Sequence, residues 1–387
     1  MNRRAPQSDR TVLKKVGFVA ICVVIAALLA MLVSVYAQRF SGNTIDGGTA
    51  EAADVDIEQV EIAADNRPPQ LQLLEASIDR IGTSLGSHLG IAVVDLQSGE
   101  VAHFNGETIM PQQSVSKLWV ALAALDQADT GSLDLSESAT VRRADLTLFH
   151  QPIRKIVKAQ GRFTTTYADF MRRAMVGSDN TANDMLLKRI GGPEAVRRIL
   201  EAKGLDGIRF GPGERIMQSQ LAGLKWDQSF SFGKTFFEVR KTVPHDKRRR
   251  IFDNYVADPV DGATPLAIAR ALEMLAKGEL LSPASTRTLL SLLRDAKSGP
   301  NRLKGGLPEG WQIAHKTGTG QVLDIVPPGV IGEQTGYNDV GILTAPDGAR
   351  YSVAVLIGNT KRPVPERMDM MHAVVAAVAE YHSQMSS

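Results

Sequence analysis

A serine and a lysine in the first third of the chain are spaced for nucleophilic chemistry. Ser114 and Lys117 form an SxxK sequence, and they precede an apolar run, Leu118 to Leu125, that predicts a buried helix. Residues three apart share a helix face, so the hydroxyl and the amine would lie side by side. A lysine in an apolar site loses proton affinity and can act as a base toward such a hydroxyl.

The SxxK sequence is common by chance, and this chain contains a second copy. Ser231 and Lys234 lie in a segment that contains Gly and Phe and that has no apolar helix behind it. We therefore predict that the nucleophile is Ser114 and not Ser231.

An SDN sequence, Ser178 to Asn180, lies between two predicted helices. A hydroxyl and an amide in this position can relay a proton and hold a substrate carbonyl. An isolated SDN is more simply explained as a helix N-cap, so it indicates a catalytic site only together with the other motifs.

A third motif, Lys316, Thr317, Gly318 and Thr319, ends an apolar strand. A cation and a hydroxyl at a strand edge can bind a carboxylate, and the glycine would let a substrate backbone approach. A lone KTG usually marks a turn. The three motifs together are far more specific, because each lies on the element that its chemistry requires.

The elements that must position these motifs follow from periodicity. Helical patterns dominate from Val115 to about Gly204, and strand patterns occur on both sides of this stretch, which predicts one sheet assembled from distant parts with an all-α subdomain inserted. The predicted strands are Leu89–Asp95, Glu100–Phe104, Trp311–His315, Asn338–Leu343 and Tyr351–Ile357, and further helices are predicted at Leu71–Ile81, Pro265–Lys277, Pro283–Leu293 and about Glu366–Tyr381.

The order SxxK, SDN, KTG resembles the class A β-lactamase superfamily of penicillin-recognising serine hydrolases, over roughly residues 71 to 385. The stretches SDNTAND, GELLSPAS and LPEGWQIAHKTGTG are also similar to that family. The resemblance implies an α/β (α+β) fold, in which an antiparallel sheet with flanking helices is joined to an inserted all-α subdomain and the site lies between them.

The resemblance also implies a role for each motif residue. Ser114 would form an acyl-enzyme after activation by Lys117, directly or through water, and Ser178 would return a proton to the leaving nitrogen. The backbone amides of Ser114 and Thr319 would form the oxyanion hole. The remaining substrate-binding residues would be Asn180 for the substrate side chain and Lys316, Thr317 and Gly318 for its carboxylate and backbone.

Hydrolysis of the acyl-enzyme requires a further carboxylate, which the family places at a position that a gapless count from SDN assigns to Glu214. It would act as a general base toward water. The alternative is an exposed loop glutamate beside Arg215. Two departures from the family concern this loop: Gln218 replaces an asparagine, and an insertion occupies about residues 219 to 262.

The insertion carries an aromatic run and a basic run. The aromatic run could cover the site or dock a partner, although a small local core is the commoner explanation. The basic run could contact anionic lipid or cell-wall polymer, although a solvated helix face is the commoner explanation. The aromatic run is Phe230, Phe232, Phe236 and Phe237, and the basic run is Arg240, Lys241 and Lys247–Arg250. Outside the insertion, Phe149 and His150 correspond to the family's aromatic gate by a weaker alignment.

The N-terminal part predicts attachment to a membrane. Residues 1–15 are a basic flank, and residues 16–37 contain no charge and are long enough to span a bilayer, which favours an anchor over a cleaved signal peptide. Residues 38–70 are predicted to be a flexible linker, and residues 71–387 the catalytic domain. The basic flank places that domain outside a bacterial inner membrane.

Composition excludes several other classes of protein. The net charge of +2 over 387 residues implies no nucleic-acid partner. The single cysteine, Cys22, precludes an intramolecular disulfide, and seven histidines show no metal-ligand spacing, so we expect neither metal nor cofactor. We expect a monomeric domain that acts on a β-lactam or a peptidoglycan peptide.

The leading hypothesis from the sequence is a serine β-lactamase with acylation at Ser114 and deacylation assisted by Glu214. Its closest alternative is a penicillin-binding D-Ala-D-Ala peptidase or transpeptidase, which Gln218 and the altered loop favour. A membrane-anchored β-lactam sensor is a third reading, and it would need a partner for signalling.

Overall fold

A computed structural model describes residues 67 to 385, apart from Ser87, Ile325 and Pro328. The predicted basic flank and the predicted membrane segment, residues 16–37, lie outside the described residues, as does most of the predicted linker. Within the part that is described, no helix is both long and apolar enough to cross a membrane.

The main sheet is antiparallel and joins segments from both ends of the domain. Strand β1 (His88–Asp95) pairs with β10 (Arg350–Thr360) over its whole length, although the two are more than 250 residues apart in the chain. This confirms the prediction of a sheet assembled from distant parts. In spatial order the strands are β2 (Val101–Phe104), β1 (His88–Asp95), β10 (Arg350–Thr360), β9 (Tyr337–Thr344) and β7 (Gln312–Thr319), with the short β8 (Gln334–Thr335) beside β10.

Alternate residues of the central strands face two different cores, as the two-residue period of a strand requires. Ile91 and Val93 pack with helices α1 (Pro69–Leu85) and α12 (Val364–Met385) on one face. Ala92 and Val94 belong to the larger core on the other face, which the sheet shares with the helical region. Both faces are therefore covered, which explains why these strands are apolar without alternation.

The helical region is built around α2 (Lys117–Asp129), whose residues from Lys117 to Leu125 are all buried. A helix that is apolar on every side is stable only inside a core. This confirms the predicted helical subdomain between the strands, but a short strand pair lies within it, so it is not all-α as predicted. The other helices between the sheet strands are α3 (Ile153–Gln160), α4 (Tyr167–Val176), α5 (Asn180–Arg189), α6 (Pro193–Ala202), α7 (Glu214–Leu221), α8 (Thr235–Lys241), α9 (His245–Ala257), α10 (Pro265–Lys277) and α11 (Pro283–Arg294).

Two short strand pairs were not predicted from the sequence. Strand β4 (Ser138–Val141) pairs with β5 (Phe163–Thr166), and β3 (Met110–Pro111) pairs with β6 (Gly262–Ala263). Two to four residues are too few to show a clear period, so such pairs depend on contacts made by the rest of the fold.

The aromatic run of the insertion forms a small local core, as its commoner explanation predicted. Phe230 and Phe236 are buried with Leu148 and Ala222, and Phe149 packs against them. This core therefore connects the insertion to the residue that the family alignment assigned to the aromatic gate.

The prediction of a solvated face for the basic run is wrong for Arg240. Its side chain is buried and donates hydrogen bonds to the carbonyl oxygens of Val322 and Leu323, the second at 2.9 Å. Two further arginines of the basic run, both on α9, bind the segment that follows β7. Arg248 forms an ion pair with Asp324 at 2.6 Å, and Arg249 forms one with Glu333 at 2.7 Å. The basic run thus attaches the insertion to residues 322 to 333.

Candidate active site

The three sequence motifs meet at one pocket of about 410 Å³ between β7 and the helical region. Its wall includes Ser114, Ser178, Asn180, Glu214, Thr317 and Thr319. Residues that are up to 205 positions apart (319 − 114) are thereby brought together, as the resemblance implied.

The nucleophile candidate is in contact with a buried ion pair. The amine of Lys117 donates a hydrogen bond to the Ser114 hydroxyl at 2.7 Å and forms an ion pair with the Glu214 carboxylate. Lys117 is 0% exposed and Glu214 is 3% exposed. Glu214 therefore lies inside the pocket and is not an exposed loop glutamate.

Ser114 lies in a tight 3-10 turn, Gln113–Ser116, that runs directly into α2. Side chains three apart eclipse each other in this kind of turn, which brings Ser114 to Lys117. The preceding residue, Gln113, has a φ of +53°, and its backbone N–H donates to Asp261 at 2.8 Å. A non-glycine residue in the left-handed region is strained, and the surrounding contacts must hold it there.

The SDN motif combines the two roles that the sequence left open. Asp179 is the N-cap of α5, since its carboxylate accepts from the backbone of Ala182 at 3.0 Å and from Ile153 at 2.8 Å. Burial raises the pKa of Asp179. Ser178 has a φ of +55°, and its hydroxyl lines the pocket and accepts a hydrogen bond from Lys316.

Lys316 is fully buried beside Ser178. Its amine lies 3.1 Å from the Ser178 hydroxyl and 2.9 Å from the carbonyl oxygen of Thr317. Burial, and then the charge of Lys117, lower the pKa of Lys316 well below its usual range, although Glu214 opposes them. An amine with a lowered pKa gives up its proton more readily, which suits proton exchange with Ser178.

The expected purpose of Gly318 does not match its surroundings. We expected the glycine to leave room for a substrate, but a Cβ here would lie 2.3 Å from the carbonyl oxygen of Gln112 and 3.3 Å from Val115. The glycine is required because β7 packs tightly on the turn that carries Ser114.

Two residues that support the pocket were missed by the sequence analysis. Ser298 accepts a hydrogen bond of 2.7 Å from the Thr317 hydroxyl, and Arg302 donates one of 2.6 Å to the Thr319 hydroxyl. Arg302 precedes β7 and lies outside the three motifs. No short motif marks either residue.

One end of the pocket is formed by the predicted gate residues, Phe149 and His150. Phe149 has a φ of +56°, and the imidazole of His150 bonds the carbonyl oxygen of Gly177 at 2.8 Å. The amide of Asn180 donates to the carbonyl oxygen of Leu148 at 3.0 Å, which leaves its second N–H for a substrate.

Gln218, the departure beside Glu214, has both ends of its carboxamide engaged. Its nitrogen lies 3.0 Å from the side-chain oxygen of Gln113 and 3.4 Å from a Glu214 carboxylate oxygen. Its oxygen accepts a hydrogen bond of 2.8 Å from Gln321. The extra methylene thus places the amide in a hydrogen-bond network that includes Gln113, the residue that precedes Ser114.

The second SxxK sequence has no comparable arrangement. The Ser231 hydroxyl donates to the carbonyl oxygen of Gln228 at 2.7 Å, while Lys234 is exposed. His315 is a buried residue of β7 that bonds Asp339 at 2.8 Å, so it stabilises the sheet.

Several proteins that this chain is similar to are β-lactamases. β-Lactamase VEB-1 of Pseudomonas aeruginosa is 25% identical over 312 residues, which is 80% of this chain and 89% of the relative. A β-lactamase of Amycolatopsis lactamdurans is 28% identical over 307 residues, which is 79% of this chain and 84% of the relative. The crystal structure of a β-lactamase from Chitinophaga pinensis matches with a TM-score of 0.63 at 25% identity and covers 80% of this chain and 99% of that one.

A family model described as the β-lactamase enzyme family matches residues 73 to 382. This match includes every strand of the main sheet and all three motifs. The protein therefore belongs to the β-lactamase enzyme family, a family of hydrolases.

Proposed function

We propose that the protein is a serine β-lactamase that opens the lactam amide through an acyl-enzyme on Ser114. The observation that carries this proposal is the buried line of contacts from Glu214 through Lys117 to Ser114. The names of the relatives support the choice of substrate.

In the acylation step the Ser114 oxygen attacks the lactam carbonyl carbon. The amine of Lys117 contacts both the serine hydroxyl and Glu214, so it can take the hydroxyl proton as it passes one of its own to the carboxylate. No water is needed between Ser114 and Lys117. The backbone amides of Ser114 and Thr319 stabilise the negative oxygen of the tetrahedral intermediate.

When the intermediate collapses, the carbon–nitrogen bond breaks and the nitrogen needs a proton. Ser178 supplies it and is resupplied by Lys316, whose amine lies 3.1 Å away. Glu214 then returns its proton to Lys117, and a proton passes from Lys117 to the pair of Ser178 and Lys316, so that Glu214 is again a carboxylate and Lys316 regains the proton it gave. In net terms the proton that leaves Ser114 ends on the former lactam nitrogen.

The substrate is held on both sides of the reacting amide. Thr317 and Thr319 bind its carboxylate through their hydroxyls, with positive charge supplied by Arg302. The free N–H of Asn180 binds the carbonyl of the acyl side chain.

Deacylation requires water beside Glu214. The carboxylate takes a proton from the water, which attacks the ester carbon, and the Ser114 oxygen leaves with a proton. Glu214 lines the pocket together with Ser114, which supports this role.

A second candidate function is that of a D-Ala-D-Ala peptidase or transpeptidase acting on peptidoglycan. Gln218 favours it, because the carboxamide next to Glu214 is already bonded to Gln113 and Gln321. A water beside Glu214 would then have fewer partners, and the acyl group could persist until an amine accepted it.

The test combines turnover and mass. The purified protein is mixed with a chromogenic cephalosporin, and hydrolysis is followed together with the mass of the intact protein. We expect many turnovers per molecule and loss of both turnover and adduct in Ser114→Ala. Ser231→Ala, which removes the hydroxyl of the second SxxK sequence, is the matched control and should retain activity.

Other outcomes separate the alternatives. One equivalent of product with a long-lived adduct contradicts the lactamase and favours the peptidase, or a sensor if no amine accepts the acyl group. An unlabelled Ser114 contradicts all three functions.

We further propose that residues 16–37 anchor the protein in the inner membrane with its catalytic domain outside. The uncharged segment and its basic flank support this proposal. In fractionated cells the protein should stay with membranes after alkaline washing, while a variant without residues 1–40 should be released. Recovery of the full chain in the soluble fraction would contradict the anchor.

A further inference from the structure

A tyrosine of the insertion reaches the residue next to the nucleophile. Tyr255, near the end of α9, is buried, and its hydroxyl oxygen lies 2.6 Å from the side-chain nitrogen of Gln113. The same hydroxyl lies 2.7 Å from a carboxylate oxygen of Asp261. The other oxygen of Asp261 accepts from the backbone N–H of Gln113 at 2.8 Å. Gln113 is thus held at two points.

The direction of these hydrogen bonds is fixed by chemistry. Burial raises the pKa of Asp261 to about 6, so the carboxyl group is ionised above that pH. An ionised carboxylate only accepts, so the single proton of the Tyr255 hydroxyl goes to Asp261. The hydroxyl oxygen can then only accept from the Gln113 side chain, which must present its NH₂ group to Tyr255. The carbonyl oxygen of Gln113 consequently faces the opposite way.

That oxygen sets the orientation of a second amide. The nitrogen of Gln218 lies 3.0 Å from the Gln113 oxygen, and the oxygen of Gln218 accepts from Gln321 at 2.8 Å. The NH₂ group of Gln218 is therefore also the group that faces Glu214, at 3.4 Å. Reversing either amide would place two acceptors or two donors against each other.

We propose that Tyr255 is a positioning residue for deacylation, which holds Gln113 and through it Gln218 in the orientation that presents an N–H to Glu214. This inference rests on the proposed lactamase function. It assigns the insertion a part in the reaction, although Tyr255 itself does not line the pocket.

The two chemical steps should respond differently to loss of this hydroxyl. Acylation depends on the contacts of Lys117 with Ser114 and with Glu214, and Tyr255 touches none of these three residues. Deacylation depends on Glu214 and its amide neighbour. In Tyr255→Phe the Gln113 amide loses its acceptor and can turn, so the N–H toward Glu214 is no longer fixed. Loss of one oriented hydrogen bond corresponds to roughly a tenfold slower deacylation.

The experiment measures kcat and KM for a chromogenic cephalosporin in the full-length protein and in Tyr255→Phe. Because kcat/KM reports the steps up to acylation, slower deacylation lowers kcat and KM together and leaves their ratio unchanged. Where deacylation limits turnover we expect both constants to fall about tenfold, and in every case the acyl adduct, followed by the mass of the intact protein, should decay about tenfold more slowly. The matched control is Tyr381→Phe, which removes a buried hydroxyl that bonds Asp95 at 3.3 Å in the core away from the pocket.

A second variant tests whether the effect passes through Gln113. Asparagine tolerates a positive φ but is one methylene too short to bridge Tyr255 and Gln218, so Gln113→Asn should show the same fall in kcat and KM. Adding Tyr255→Phe to it should cause no further loss. This variant also decides the matter if Tyr255→Phe does not fold.

Each outcome bears on the proposal. A fall in kcat/KM equal to that in kcat, an acyl adduct that decays at the unmodified rate, or an additive double variant would overturn the role of Tyr255. If the unmodified protein forms only a long-lived adduct, the lactamase fails, but the lifetime of the adduct still tests Tyr255 and should lengthen about tenfold by the same argument. Absence of any adduct at Ser114 overturns both.

Discussion

The ring of Phe236 meets the ring of Phe149 edge to face, with centroids 5.2 Å apart and planes at 87°. Phe149 lines the pocket, whereas Phe236 belongs to the insertion and is only 2% exposed. The insertion therefore supports one wall of the pocket through a buried aromatic contact, a geometry that stabilises such pairs beyond their buried area.

Removing the Phe236 ring should widen the pocket. In Phe236→Ala, Phe149 can move into the vacated space, so kcat/KM for β-lactams with bulky acyl side chains should rise relative to those with small ones. The variant should also lose about 3 kcal/mol of unfolding free energy, as expected for a buried phenylalanine. Both effects are measured by steady-state kinetics on paired substrates and by urea denaturation.

The neighbouring Phe237 provides the control. It is 39% exposed and lies 6.3 Å from the Phe149 ring, so Phe237→Ala should cost less than about 1 kcal/mol and change the substrate ratio little. Equal substrate ratios in Phe236→Ala and the unmodified protein would show that the insertion does not shape this wall.

Replacing the Glu214 carboxylate should slow deacylation more than acylation. In Glu214→Gln Lys117 loses the carboxylate that accepts its proton, so acylation should slow as well. Water loses its general base in the same variant, and deacylation should slow more, by a factor of about 10² to 10⁴. The intact protein should then gain the mass of the acyl group, in proportion to the enzyme present. Steady turnover by this variant at the unmodified rate would rule out Glu214 as the base.

The place of Ser114 in the pocket could be predicted because local pattern and chemistry agreed. An apolar helix behind Ser114, a cap at Asp179 and an apolar strand before Lys316 each leave a signal in a short window of sequence. The order of the motifs supplied what no single motif could. The long strands were predicted for the same reason.

The supporting contacts could not be predicted, because they join residues with no local signature. Tyr255 and Gln113 are 142 positions apart in the chain. Arg302 contacts Thr319 from a turn that precedes β7. The basic run was misread for the same reason: the carbonyl oxygens that bind Arg240 belong to a segment 82 residues further along.

Strand β7 packs tightly on the turn that carries Ser114. We therefore predict that Gly318→Ala impairs acylation. A Cβ would lie 2.3 Å from the backbone oxygen of Gln112, so the strand or the turn must shift. A displacement of about 1 Å at a reacting group can cost about 10²-fold in rate. The rate of adduct formation measures this effect.

Gly332→Ala is the matched control, since its nearest neighbour would be at an ordinary 3.4 Å. It should form the adduct at the unmodified rate. Normal acylation by Gly318→Ala would mean that the contact with Gln112 can relax without moving Ser114.

A buried carboxylate behind Glu214 should leave a signature in stability against pH. Burial and the charge of Glu214 raise the pKa of Asp184 to about 6, although Arg215 opposes them. The unfolded value is near 3.9. Between about pH 4 and pH 6 the folded state therefore holds a proton that the unfolded state has lost, and this group's contribution to stability falls as pH rises.

In Asp184→Asn that contribution is absent. The unfolding free energy of the unmodified protein minus that of the variant should therefore fall by about 1 to 3 kcal/mol between about pH 4 and pH 7. Urea denaturation at one-unit intervals measures it. Asp169→Asn is a control of opposite sign. Burial would raise the pKa of Asp169, but hydrogen bonds from Arg173, Thr165 and Arg172 outweigh it and lower this pKa. The stability that Asp169 contributes is therefore lost only as pH falls below about 4. A difference curve for Asp184→Asn that is flat with pH would mean that Asp184 stays ionised in the folded protein.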